Sequence, residues 1–156
     1  MTNDSIREFC MSLPMATEEV QWEEHLLFKI GGKMFAILTL GGNRCAFKST
    51  PERYAELVEM ADIIPSAYNM WKYQWVNAES LTALSDAEFR EDLRTSYDLV
   101  RASLTKKMQA ELEAGRQPKV KKFVRKAERE KAKKKAPAKK QIVAKAKKKA
   151  AKKKRA

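Results

Sequence analysis

Histidine is almost missing from this chain: His25 is the single one in 156 residues. Acid–base chemistry near neutral pH leans on that side chain, and no Ser/His/Asp ordering stands out around this one. His25 stands in "EEHLLF", at the start of an apolar run, where a surface or partly buried structural role is the expectation. Cysteine is nearly as rare. Cys10 and Cys45 share no metal-ligand spacing and are too few to staple a secreted scaffold, which predicts reduced thiols in a cytosolic protein. No apolar run approaches the roughly 18–20 residues of a membrane span, and "MTNDSIREFCMSL" lacks the basic and apolar regions of a signal peptide. Membrane insertion is therefore not expected, and neither a cofactor nor a metal is called for.

Charge of one sign is also missing, but from each end of the chain differently. Residues 1–116 hold 13 Lys and Arg against 18 Asp and Glu, a net of −5. Residues 117–156 hold 20 Lys and Arg against only Glu128 and Glu130, a net of +18. Phe123 is the one aromatic ring in that second part. The division predicts an acidic globular domain, residues 1–116, followed by a lysine-rich low-complexity tail, residues 117–156, that is disordered or partly helical.

Within the first part the punctuation is clear. "SIRE" places Glu8 three residues after Ser5, a capping-box spacing, and Pro14 ends the helix it opens. "LLFKIGGKMFAILTLGGNRCAFKS" reads as three antiparallel strands with turns at Gly31-Gly32 and Gly41-Gly42-Asn43. Thr50 and Pro51 open a second helix with Tyr54, Leu57, Val58 and Ala61 as its inner stripe. The run "IIPSAYNMWKYQWVNAE" reads as extended. A long helix then opens on Ser85 and Glu88 and carries an apolar stripe from Phe89 through Leu104 and Met108 to Leu112, ending at Gly115. This order predicts an α+β fold: an N-terminal helix and an antiparallel sheet packed by two or more helices.

Three patterns that could carry catalysis or ligand binding fall short. Glu18, Glu19, Glu23 and Glu24 come as adjacent pairs, and neighbours on a strand point to opposite faces, so a solvated acidic edge is favoured over a metal site. "KIGGK" lacks the glycine spacing, the Lys-Ser/Thr pair and the following helix of a phosphate loop. Neither cysteine has an evident base. No enzymatic activity is predicted.

The residues resemble the MmcQ/YjbR family of α+β, double-wing proteins. The stretches that carry the resemblance are "SLPMATEEVQW" (12–22), "FKIGGKMFAIL" (28–38), "FKSTPERYAEL" (47–57), "IPSAYNMWKYQWV" (64–76) and "SYDLVRASL" (96–104), in order. The family pattern has an Asn-Lys pair before its tryptophan; here Trp71 stands in place of that Asn, while Lys72 and Trp75 are kept. What the resemblance implies is DNA binding.

The functional expectation is non-catalytic nucleic-acid binding, DNA first and RNA also open, by a cytoplasmic, nucleoid-associated protein. A tail of this charge contacts phosphates rather than base edges and adds affinity with little sequence preference. Its candidate contacts are Lys133, Lys134, Lys135, Lys139, Lys140, Lys147, Lys148, Lys149, Lys152, Lys153, Lys154 and Arg155, and its lysine/alanine composition resembles the ends of linker-histone-like proteins. Lys33, Lys48 and Lys72 are the candidates in the domain, which supplies orientation or a partner contact. The rival reading is a protein-interaction module tethered to a polyanion by its tail. The oligomeric state is left open, with a monomer as the default. In "MWKYQWV", strand alternation would place Trp71, Tyr73 and Trp75 on one face and Lys72 on the other. That assigns Trp75 and Tyr73 to the core, makes Lys72 a separate surface charge and leaves Trp71 undecided.

Overall fold

The computed structural model describes residues 1–21 and 24–118. Contacts divide the chain into one unit of Met1–Val120 and another of Lys121–Ala156; the tail candidates from Lys133 to Arg155 lie outside the described residues. The first unit is α+β. In order it contains α1 (Asn3–Ser12), β1 (Thr17–Gln21), β2 (His25–Ile30), β3 (Lys33–Thr39), β4 (Arg44–Lys48), α2 (Pro51–Leu57), β5 (Ile63–Pro65), a 3-10 turn (Met70–Tyr73), β6 (Trp75–Ala78), α3 (Asp86–Ala102) and α4 (Lys106–Glu113). The six strands form one antiparallel sheet in the order β1-β2-β3-β4-β6-β5.

Directly opposed residues in an antiparallel sheet share a face, and two such rows build the core. Phe28, Ala36, Phe47 and Val76 are mutually opposed across β2, β3, β4 and β6, and none is exposed. The next row, Leu26, Leu38, Cys45, Ala78 and Ile63, is also buried. Ile6 and Cys10 of α1 and Phe89, Leu93 and Tyr97 of α3 belong to the same core. Phe47 meets Phe89 edge-on with ring centroids 6.1 Å apart, and Phe35 meets Tyr97 at 5.4 Å. Full burial of each such side chain contributes about 1.5–3 kcal/mol.

The turns follow their chemistry. Gly31 and Gly32 both have positive φ, as a two-residue primed hairpin requires. Gly31 is also crowded: a Cβ there would lie 2.8 Å from Leu104 Cδ1. At the second hairpin it is Asn43, not a glycine, that takes the left-handed conformation. Thr50 caps α2 and Ser85 and Glu88 form the capping box of α3 as the spacing predicts.

Four expectations are corrected. α1 starts at Asn3, because Thr2 rather than Ser5 is its cap; Ser5 is the reciprocal partner in the box. The inner stripe of α2 is shorter than read, since the helix ends at Leu57 and Ala61 is exposed. The long C-terminal helix is two helices: Thr105 accepts the Met108 N–H and starts α4, after a break at residues 103–105. The apolar spacing runs through that break, since Leu104 and Leu112 are both buried. Finally, "MWKY" is not extended but turns as a 3-10 segment.

A bulge in β3 helps to tie α3 to the sheet. Phe28 opposes Ala36 while Lys29 opposes Met34, so Phe35 is an extra residue on β3. The buried Ser96 hydroxyl of α3 donates to the Phe35 carbonyl and accepts the Lys48 N–H at 2.9 Å. Ser96→Ala strands both backbone groups, and urea denaturation is expected to report a loss of about 1–3 kcal/mol.

Candidate nucleic-acid interface

Lys48 is the last residue of β4 and opposes Trp75, the first of β6. The turn segment that feeds β6 lies at that same end of the sheet. Its backbone is unusual: Tyr68, Asn69 and Gln74 all have φ near +60°. Asparagine tolerates that region, whereas tyrosine and glutamine pay about 1–2 kcal/mol each for it. The conformation is held by β4's continuation, where the Ser49 N–H and hydroxyl both donate to the Gln74 carbonyl at 2.8 and 3.0 Å. The Ser66 N–H donates to Trp75 O at 3.0 Å and closes the loop.

The left-handed Gln74 breaks the strand alternation just before Trp75. Trp75 is 7% exposed, as expected of a core tryptophan. Tyr73, assigned to the core by alternation, is instead 65% exposed, and Trp71 is 48% exposed. Tyr68, which sequence reasoning did not single out, is 95% exposed. The Lys48 ammonium lies 5.9 Å from the Tyr73 ring centroid, and the Lys72 ammonium 5.5 Å from that of Trp71. Each lysine is thus paired with an exposed ring at cation–π range. The separation of lysine from aromatics that alternation predicts does not hold.

Lys33 sits differently. Its ammonium donates to Ser103 O at 2.9 Å and to Ser103 Oγ at 3.2 Å, which places a positive charge at the C-terminal end of α3. It therefore has a structural task. It is still close enough to act on Lys48, whose ammonium is pushed below the usual lysine range by partial burial first and by the Lys33 charge second. Among the described residues, Lys33, Lys48 and Lys72 make no ion pair with a carboxylate. Lys29, by contrast, is committed to Glu19.

The other motifs have structural explanations. Glu18 accepts a two-point bond from Arg7 of α1, and Glu19 pairs with Lys29; adjacent on the edge strand β1, they diverge as strand geometry requires. Arg7 holds the Glu18 carboxyl below its ordinary range, mainly through that hydrogen bond. Glu24 is an exposed turn residue, and Glu23 lies outside the described residues. No group of three or more His, Cys, Asp or Glu among the described residues is arranged to hold a metal. His25 is half-buried, with Nδ1 3.0 Å from Thr39 Oγ1. Cys10 and Cys45 are free and buried; burial pushes the Cys45 thiol up to about 12 and raises that of Cys10 as well, so neither is a ready nucleophile. No helix among the described residues is long and apolar enough to cross a membrane.

The YjbR family profile matches residues 11–99, more than half of the chain. No curated protein matches. Among solved structures, a Deinococcus radiodurans protein with a DUF419 domain, DR2400, is 30% identical with a TM-score of 0.64, over 78% of this chain and 93% of that one. A protein from Pseudomonas syringae shares the fold at 19% identity and a TM-score of 0.53, over 64% of this chain and 98% of its own. The fold, the profile match and the Deinococcus likeness agree: the chain belongs to the YjbR family.

Proposed function

We propose that this protein binds nucleic acid, DNA in the first instance, without catalysing a reaction on it, as a cytoplasmic, nucleoid-associated factor. The observation that carries the reading is the cationic end of the sheet. In a domain of net negative charge, Lys48 and Lys72 stay without a carboxylate partner among the described residues, beside exposed rings, with Lys33 acting on Lys48. A phosphate backbone supplies the counter-charge that the domain withholds. The net +18 of residues 117–156 supports the same partner. In this reading the lysine-rich segment supplies most of the affinity and the domain orients the complex.

The test replaces Lys33, Lys48 and Lys72 together by Gln in the full chain and follows a fluorescent duplex by anisotropy over a salt series. The expected result is a loss of about tenfold in affinity near 0.1 M salt and a log–log salt slope shallower by about 2–3. An unchanged affinity and slope would take the domain out of the interface. Absence of binding by the unaltered chain at that salt would sink the nucleic-acid reading and favour a protein partner.

A further inference from the structure

We propose that the loop of residues 66–74 is a base-stacking platform, and that it makes the protein prefer single-stranded nucleic acid over duplex. The proposal rests on the nucleic-acid reading and gives it a substrate class.

The first argument is how the domain spends its aromatic rings. Phe28, Phe35, Phe47, Phe89, Trp75 and Tyr97 are buried. Among the described residues, the only exposed aromatic side chains are Tyr68, Trp71 and Tyr73, all within six positions of one loop. A solvated face on three such rings is surface withheld from the core, and it is concentrated rather than scattered. The second argument is the backbone. Two of the three left-handed residues in this loop, Tyr68 and Gln74, are residue types that this conformation disfavours. The consequence of Gln74's φ is that Tyr73 leaves the face on which Trp75 is buried. The strain and the display are the same feature.

The third argument is charge. Lys48 over Tyr73 and Lys72 over Trp71 put an ammonium on one face of two of the rings, and it is the opposite face that a base would take. A base stacked on either ring brings its own phosphate past that cation, which is the pairing of π-face and positive charge that single-strand-binding surfaces use. In a duplex both faces of each base are already covered by neighbours, so the rings have nothing to stack on without opening the helix. Single strands offer those faces freely. No groove-sized recognition element is needed, and the sugar is not read, so DNA and RNA strands share this chemistry.

The experiment uses the full chain with fluorescein-labelled oligo-dT and oligo-U of about 15 nucleotides and a duplex matched in phosphate number. Salt is set near 0.2 M to subdue the non-specific contribution of the lysine-rich segment. The strands are expected to bind about tenfold or more tighter than the duplex. Trp71→Ala and Tyr73→Ala are each expected to cost about tenfold for the strands and clearly less for the duplex, so that the preference shrinks, while Tyr73→Phe retains it. Tyr73 is 65% and Trp71 48% exposed, so both variants should stay folded with at most a small thermal shift for Trp71→Ala, and thermal unfolding separates a folding defect from a binding loss. Both strands are expected to show the preference; a preference confined to oligo-dT or to oligo-U counts against a platform that reads only ring faces. Equal binding of strand and duplex, with the ring variants unchanged, overturns the platform, leaves the nucleic-acid reading standing and assigns the rings to another class of partner. Failure of all three ligands to bind even at about 0.05 M salt overturns the nucleic-acid reading itself.

Discussion

Shortening the chain after Pro118 is expected to lower its affinity for duplex DNA at least a hundredfold near 0.1 M salt and to flatten its salt dependence severalfold. Residues 117–156 carry 20 of the 33 Lys and Arg. If half of the 20 meet phosphates and the three lysines of the sheet end do as well, the full chain should show a log–log slope of about −12, against about −3 for those three lysines alone. The cut belongs after residue 118 because Gln117 Nε2 still donates to Met15 O at 3.0 Å and Pro118 is buried. A boundary at residue 116 would remove both contacts and confound a binding loss with a packing defect. Anisotropy titrations from about 0.05 to 0.3 M salt measure both slopes. Equal slopes for the two proteins would mean that the lysine-rich segment does not bind phosphate and that the sheet end is the whole interface.

That contrast separates two electrostatic regimes within one chain. On the proposed reading the segment acts through charge density, so its effect should be nearly blind to sequence and steep in salt. The loop of residues 66–74 would act through ring faces, whose stacking contribution should depend on salt less than phosphate contacts do. Raising the salt should therefore lower affinity while sharpening the preference for single strands.

Much of this fold is legible from residues because local and tertiary preferences coincide. Gly31-Gly32 admits little but a primed turn, and Thr50-Pro51 and Ser85-Glu88 are helix starts on capping chemistry alone. β1 is less legible: "TEEVQ" is polar on both faces, since Glu18 and Glu19 answer Arg7 and Lys29 rather than a core. The break between α3 and α4 hides behind its own periodicity, because Leu104 keeps the apolar spacing while the backbone stops being helical. Thr105, three residues before Met108, is the signal that marks it.

The candidate site is harder to read, and for one reason. Alternating aromatics before Trp75 imitate a strand, and that period outweighs Asn69, the one residue whose side chain suits a left-handed turn. Tyr68 and Gln74 carry no such hint. Gln74 is held from outside the loop by Ser49, which grips its carbonyl, and the Ser66 N–H closes the loop's base on Trp75 O. Tertiary hydrogen bonds override the local pattern, and the residues that result are the ones left facing solvent.

Replacing Arg53 by Met is expected to be the costliest single change outside the apolar core, by about 3 kcal/mol at neutral pH. Arg53 of α2 grips the buried Asp92 of α3 through two bonds of 3.1 Å and also meets Glu56 at 3.1 Å and Glu88 at 3.7 Å. Burial raises the Asp92 carboxyl even against the pull of Arg53, while the bond to Asp92 raises the Arg53 guanidinium further. With its folded-state pKa above the unfolded one, an ionised Asp92 costs stability; that cost is absent below the unfolded value and grows as pH rises through the carboxylate range. Without Arg53 the raised value climbs further, with Glu88 and Glu91 adding repulsion. The deficit of the Met variant should therefore be largest at neutral pH and shrink to about 1 kcal/mol near pH 4.5. Glu18 and Glu88, whose carboxyls are lowered, lose their stabilisation as pH falls. Glu88 is held chiefly by Ser85, so both losses largely cancel in the comparison of variant and parent. Asp92→Asn leaves Arg53 with Glu56 and Glu88 and should cost only about 1 kcal/mol, while Arg53→Met with Asp92→Leu should return close to the parent, because two charges are then removed together. Urea denaturation of all four proteins at both pH values decides it: a deficit in Arg53→Met that does not depend on pH would mean that Asp92 is not the charge left behind.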